Sequence, residues 1–493
     1  LENAGLAVVR VSDVTGFPEM MGGRVKTLHP RIHGGILAMR ENETHLAAMR
    51  EHDIPPIDMV IVNLYPFAAT IAREDVQFPE AVEMIDIGGP TLLRAAAKNH
   101  AHTVVVCDPA DYNRIQTQMQ AGDITADLKR ELAGKVFNHT AAYDAMIAGY
   151  FNEQADNRFP ENLTLTYRRV QSLRYGENPH QQAAFYRPAL DMEKEKRRNL
   201  QGIEQLQGKE LSFNNLLDTG AAVRCVMSLP RPGAVIIKHL NPCGAAVVAD
   251  SKLTFKDALK DTELNDAFLR ARACDPVSAF GGIIAVPTEL DEETARSIAE
   301  NFAEVVVAPA FSAGALEVLG AKKNLRLLRI QDAARFFKQV QEVRSIPGGV
   351  LYQDYDFTIA PQSDWKVVTA QQPDAATLHA LDFAWRVCKN VKSNAIVFTS
   401  ADATLGIGAG QMSRIDSVEI AASKARKANL ELKGSVVASD AFFPFRDGLD
   451  ALANAGARAV IQPGGSVRDQ EVIDAANEHG IAMVFTGMRH FRH

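Results

Sequence analysis

The chain has 493 residues, 46% hydrophobic and 23% charged, and 53 basic against 60 acidic side chains leave a net charge of −7. That composition excludes a disordered or fibrous chain, and the mild negative balance offers no general attraction to nucleic acid or anionic membrane. At a soft prior of roughly 150 residues per domain, about three domain-sized units are expected, and any phosphate partner is a small ligand held by local basic residues.

In chain order, the first chemical feature is the loop Gly22-Gly23-Arg24-Val25-Lys26-Thr27-Leu28-His29-Pro30. Glycine allows close backbone approach and Arg24 and Lys26 supply phosphate donors; a merely solvated basic loop is the alternative. Met59-Val60-Ile61-Val62 reads as a buried parallel strand running into Asn63-Leu64-Tyr65-Pro66-Phe67, and ligands collect at such strand ends. A second apolar run, Thr103 to Val106, follows a crossover helix expected over Thr91 to Asn99. Asp86-Ile87-Gly88-Gly89-Pro90 opens that helix as an anion seat, with Lys98 two turns beyond Thr91; a surface lysine ending a helix is the plainer reading of Lys98.

Residues 1–152 thus read as an α/β domain, and 153–172, where periodicity fades, as a linker or a long surface loop. Residues 173–493 read as a second domain of two subunits of structure, roughly 173–340 and 341–493. Each contains an Asp followed five residues later by Phe (Asp275 and Phe280, Asp440 and Phe445), then a helix and a strand ending in proline. This suggests a duplication building one site between two α/β units, with coincidence as the alternative.

The strongest catalytic candidates are Lys238 and His239, delivered together by the apolar strand Ala234 to Ile237 into the turn Asn241-Pro242-Cys243-Gly244. Histidine, with an ordinary pKa of roughly 6.5, takes and gives protons near neutrality, and the lysine adds fixed positive charge. Arg174-Tyr175-Gly176-Glu177-Asn178-Pro179-His180 groups a cation, an aromatic ring and a turn. Gly406 to Arg414 lacks the G-x-G-x-x-G spacing of a dinucleotide loop and reads as a turn carrying Gln411, Ser413 and Arg414, or as a simple hairpin. In Phe442-Phe443-Pro444-Phe445, the polar frame of Asp440, Arg446 and Asp447 favours at least one ring facing a planar ligand. A zinc deaminase site fails on ligand count, since Pro242-Cys243 has no second cysteine and no glutamate precedes it at the required spacing.

Five scattered cysteines, Cys107, Cys225, Cys243, Cys274 and Cys388, form no C-x-x-C pair, so a reducing cytoplasm is expected. No apolar run approaches the roughly 18 residues of a spanning helix. The first residues, Leu1-Glu2-Asn3, carry no methionine.

Eleven strings in order resemble the bifunctional family that joins phosphoribosylaminoimidazolecarboxamide (AICAR) formyltransferase to inosine monophosphate (IMP) cyclohydrolase. They are Gly23 to Pro30, Asn63 to Phe67, Ile85 to Gly89, Ala95 to His100, Arg174 to His180, Lys238 to Gly244, Ser278 to Gly282, Ser393-Asn394, Gly406 to Arg414, Ser439 to Asp447, and Met488 to Phe491. The resemblance implies a methylglyoxal-synthase-like cyclohydrolase domain followed by a transformylase of two cytidine-deaminase-like units without metal, working as a homodimer on AICAR, its formylated product and 10-formyltetrahydrofolate. It gives His239 as the base and Lys238 as the positioning and charge-stabilising group, Arg174 and Arg489 as phosphate contacts beside Tyr175 and Phe491, and Asn394 and Arg414 as carboxamide contacts. Phe442 and Asp447 fall on the folate side. Lys26, Tyr65, Asp86 and Lys98 match the polar cluster around the closing ring, and Arg24, Thr27, Asn63, Gly88, Gly89, Phe280, Gly281, Ser413 and Pro444 lie in substrate-binding strings. Two departures stand out: Gly22 occupies a position usually held by Asp, and the family's upstream phosphate loop precedes Leu1. A protein starting at Leu1 is expected to have a crippled cyclohydrolase and a working transformylase. The alternative function is a nucleotide-binding protein without turnover.

Overall fold

The computed structural model describes residues 2–198, 202–249, 254–255, 261–337 and 341–493. The chain packs as two compact units, Leu1–Val170 with Tyr186–Leu200, and Gln171–Phe185 with Gln201–His493. Among the described residues, no helix is long and apolar enough to cross a membrane.

In the first unit, β1 (Met59–Ile61) and β2 (Val104–Val106) pair in parallel, Met59 opposite Val104 and Ile61 opposite Val106. All three valines of β2 are buried, as a continuous apolar run implies. The crossover helix is Gly88–Lys98, three residues longer at its start than expected. Glycines read as a turn, but the first turn of a helix has free N–H groups, so Pro90 fits there and Asp86 Oδ1 accepts from Gly89 N at 2.8 Å. Leu93, Ala96 and Ala97, spaced along one face, bury it against the strands.

The long helix Ala126–Gln154, capped by Thr125, lays Leu128, Leu132 and Val136 into the same core. It extends into the stretch expected to be linker. The rest of that stretch is not a simple connector either: β3 (Tyr167–Leu173) pairs with β4 (Ala183–Pro188), and the chain then contributes the helix Ala189–Arg197 to the first unit.

Among the described residues, the second unit holds two six-stranded sheets. The first contains β5 (Glu204–Gln207), β6 (Gly233–Lys238), β7 (Asn241–Val247), β8 (Ile283–Ala285), β9 (Val305–Ala308) and β10 (Arg326–Arg329), in the order β5-β10-β9-β8-β6-β7. A separate hairpin, β11 (Gln341–Ile346) and β12 (Gly349–Asp354), follows. The second sheet contains β13 (Lys366–Val367), β14 (Ile396–Thr399), β15 (Thr404–Gly408), β16 (Val436–Ser439), β17 (Ala459–Gln462) and β18 (Ala482–Phe485), in the order β13-β18-β17-β16-β14-β15.

Order and strand senses are the same in both sheets, with parallel pairs at the centre and antiparallel pairs flanking them. The duplication is therefore a property of the fold, but the Asp–Phe motif does not mark it. Asp275 precedes β8, whereas Asp440 follows β16, the counterpart of β8. Two residues at a fixed spacing do not set a register; strand order does. The helices Phe213–Ser228 and Ala375–Cys388 share one core spanning both repeats, which includes Phe383 and Trp385. At the junction, Thr404 Oγ1 accepts from Ala245 N at 3.0 Å and donates to Ala245 O at 3.1 Å. Gly244 and Gly408 let β7 and β15 approach helices so closely that a Cβ at either would lie 1.9 Å from a helix carbonyl.

Candidate active sites

The residues Ala234 to Ile237 are buried, and β6 ends at Lys238 where the chain leaves the core. His239 and Leu240 then adopt left-handed conformations, φ 52° and 65°, which cost non-glycine residues roughly 1–2 kcal/mol each. The turn is held by Asp218 on helix Phe213–Ser228, whose Oδ2 accepts from His239 N at 3.0 Å and Oδ1 from Leu240 N at 2.7 Å. Asn241 Nδ2 donates to His239 O at 3.1 Å. The imidazole itself is exposed and has no hydrogen-bond partner among the described residues. Lys238 Nζ donates to Phe280 O at 2.8 Å, just before the left-handed Gly281, with the Phe280 ring 5.4 Å from that of Phe302. Burial pushes the Cys243 thiol up to about 12, so it stays protonated at neutral pH.

Asn241 also ties this turn to the second repeat, its Oδ1 accepting from Lys392 N at 2.8 Å. Two residues on, Asn394 Nδ2 donates to Gln411 O at 2.9 Å and Asn394 Oδ1 accepts from Arg414 Nη2 at 2.7 Å. Arg414 Nη1 reaches Ser439 Oγ at 2.9 Å and Asp440 Oδ1 at 2.5 Å. Asp440, fully buried, accepts as well from Ser393 Oγ and from Ala395 N at 3.1 Å. Ser393 Oγ in turn accepts from Arg492 N at 3.1 Å, bringing in the carboxy-terminal tail. Lys238, His239, Asn394, Arg414 and the start of the Asp440 loop thus belong to one hydrogen-bonded region. Ser413 caps the helix Arg414–Lys427 through Asp416 N.

Of the aromatic loop, Phe443 is fully buried against Gly448, Phe442 is half-buried, and Phe445 is exposed beneath the Arg468 guanidinium at 4.7 Å. Pro444 and Asp447 are exposed, with Asp447 Oδ1 accepting from Gly448 N at 2.6 Å. Arg174 lies 5.5 Å from the centre of the Tyr175 ring, and Arg489 lies 4.2 Å from that of Phe491. Neither arginine has a carboxylate partner among the described residues, so each presents an unpaired guanidinium. The turn after Tyr175 is fastened to helix Phe213–Ser228, where Asn214 Nδ2 donates to Glu177 O at 3.2 Å.

Sequence reasoning missed Asp218 and the ion pair of Asp275 with Lys424, Oδ2 to Nζ 2.7 Å, which fastens the Phe280 turn to the second repeat. Burial raises the Asp275 carboxyl, but hydrogen bonds from Lys424 and Ser278 outweigh it and hold the group below its ordinary range. A carboxyl lowered on folding adds stability above its unfolded pKa, roughly 3.9, and loses it as pH falls through the folded value. Lys424→Ala should therefore move the acid-unfolding midpoint to higher pH, read by circular dichroism; an unmoved midpoint would contradict this role for the pair.

In the first unit, Asp86 gathers the other candidates. Its Oδ2 accepts from Tyr65 N at 3.3 Å, its Oδ1 caps Gly89, and its own N–H donates to Tyr143 Oη at 2.8 Å. Thr27 packs on Gly88 so closely that a Cβ there would lie 2.9 Å from its hydroxyl. Tyr65 and Asn63 are exposed. Lys26 pairs with Glu19 at 3.0 Å and Arg24 with Glu83. Lys98 closes the eleven-residue helix that Gly88 opens, about 15 Å along its axis, and has no partner among the described residues. Contacts join Thr27, Tyr65, Asp86, Gly88 and Gly89, and among the described residues none links Lys98 to them. A Cβ at Gly89 would meet Asp86 Oδ2 at 2.5 Å and Leu64 at 2.8 Å. Gly89→Ala is expected to abolish the ring closure that the resemblance implies while leaving the implied formyl transfer at the wild-type rate, and assays of both will check it.

A duplicated α/β unit with a rigid Lys–His turn and paired arginine–aromatic seats, following a separate α/β unit with a glycine-opened helix, defines a two-part enzyme for small anionic substrates. Residues 1–91 match the MGS-like domain and residues 96–424 the AICARFT/IMPCHase bienzyme. The bifunctional purine biosynthesis protein PurH of Magnetococcus marinus is 51% identical over all of this chain and 92% of its own length. A crystal structure of ForH is 38% identical over 31% of this chain and 78% of its own, at a TM-score of 0.28, too low to support a structural argument. The chain belongs to the AICARFT/IMPCHase bienzyme family.

Proposed function

We propose that this chain transfers a formyl group from 10-formyltetrahydrofolate to the 5-amino group of AICAR in its second unit and closes the formylated product to IMP in its first. The observation that carries the reading is the Lys238–His239 turn, with an unpartnered imidazole beside an ammonium held by Phe280 O.

The amine is a weak nucleophile, because its lone pair is conjugated with the imidazole and carboxamide. As that pair forms the new C–N bond, the formyl π electrons move to oxygen and His239 takes the amine proton. Collapse of the intermediate breaks the bond to the folate N10, which receives the proton. Lys238 stabilises the transient oxyanion. A placed base contributes roughly 10² to 10⁴ in rate, about 3 to 5 kcal/mol, and orientation of two substrates supplies more. Arg174 and Arg489 are the phosphate contacts, backed by Tyr175 and Phe491. Arg414 supports the carboxamide site through Asn394, and Phe442, Pro444 and Asp447 face the folate.

In ring closure the carboxamide nitrogen attacks the formyl carbon and water leaves. Lys26 and Lys98 supply positive charge, Tyr65 moves a proton, and Asp86 holds the Tyr65 backbone against the Gly88-Gly89 seat. Arg24, Thr27 and Asn63 complete the substrate contacts. A cytoplasmic homodimer completes the proposal; the five cysteines, all free and buried, fit a reducing compartment. Incubation with AICAR and 10-formyltetrahydrofolate in chelator-treated buffer should release tetrahydrofolate and IMP. Absence of both products would contradict the assignment.

A further inference from the structure

We propose that Asp218 is a positioning residue for formyl transfer, fixing the left-handed turn that aims the His239 imidazole; this rests on the reading of His239 as the base. Two consecutive non-glycine residues in the left-handed region do not persist without compensation. Here the compensation is specific: both oxygens of one carboxylate accept the two successive backbone N–H groups, at 3.0 and 2.7 Å. Successive N–H groups in a turn form an anion-binding concavity, and Asp218 supplies the anion from within the chain.

The carboxylate is itself rigidly based. Its helix begins with a reciprocal cap, Asn215 N donating to Ser212 Oγ and Ser212 N to Asn215 Oδ1, both at 3.1 Å. Its neighbour Thr219 is buried, and Ala221 and Ala222 lie in the core common to both repeats. The position of the imidazole is thus set from the core outward, through helix, carboxylate and turn. Asn241, bonded to His239 O and to Lys392 N, holds the other side of the same turn against the second repeat.

Asp218→Asn keeps the shape but points an amide N–H at a backbone N–H, so one of the two bonds is lost. Displacement of a catalytic group by about 1 Å costs on the order of 10²-fold. The variant should lose about 10- to 100-fold in kcat for formyl transfer, with KM for AICAR and folate within about threefold of wild type, because the substrate contacts lie on other residues. In a His239→Ala background the same change should cost less than about twofold more, since the two residues act as a unit. A purely stabilising residue would show neither the split nor the non-additivity.

The proposal is overturned if folded D218N keeps kcat within about threefold, if its loss is undiminished in the His239→Ala background, or if D218N and D218E both fail to fold by circular dichroism. A His239→Ala enzyme that still transfers formyl groups would instead sink the assignment of the base, whatever Asp218 does.

Discussion

His239→Ala should lower kcat for formyl transfer by roughly 10² to 10⁴ while AICAR still binds with near wild-type affinity. The imidazole is exposed and makes no hydrogen bond within the described chain, so its removal costs no fold stability through a lost contact. The loss is therefore chemical. The backbone of the turn stays anchored by Asp218 and Asn241, and Lys238 keeps its bond to Phe280 O. Calorimetric titration with AICAR beside steady-state kinetics separates the two effects. A variant that retains more than about a tenth of wild-type kcat would remove His239 from the proton transfer.

The second large effect concerns stability. Arg414 and Asp440 form an ion pair with side-chain exposures of 7% and 0%, surrounded by Ser393, Asn394, Ala395 and Ser439. Removing one partner of such a pair strands a buried charge, which costs about 3–5 kcal/mol. Arg414→Ala should therefore lower the unfolding free energy by that amount in urea titration, with formyl transfer falling as well because Asn394 loses its support. Arg414→Lys should recover only part of it, since one ammonium cannot replace a guanidinium fork that reaches three acceptors. A loss below about 1 kcal/mol would show that the network is dispensable.

What the sequence made legible follows from the range of the interactions involved. The buried strand Ala234 to Ile237 and the valines of β2 announced themselves as local apolar runs, and the Lys238–His239 turn followed directly. The start of helix Gly88–Lys98 was misplaced because glycines signal turns, whereas a carboxylate two residues upstream turned them into a helix start. The duplication showed in the spacing of helices and strands, but its Asp–Phe marker fell on opposite sides of equivalent strands. The expected linker gave way to a helix end and a strand pair, because periodicity there is carried by polar and exposed residues. Asp218 and Tyr143 were invisible. They meet His239 and Asp86 across 21 and 57 residues of sequence, and a lone helical aspartate or tyrosine carries no local sign of its partner.

The most direct test of separate sites is one variant, His239→Ala, supplied in parallel with AICAR plus 10-formyltetrahydrofolate and with preformed formylated AICAR. Loss of the first conversion with the second at the wild-type rate is the predicted result. Equal loss of both would contradict the account.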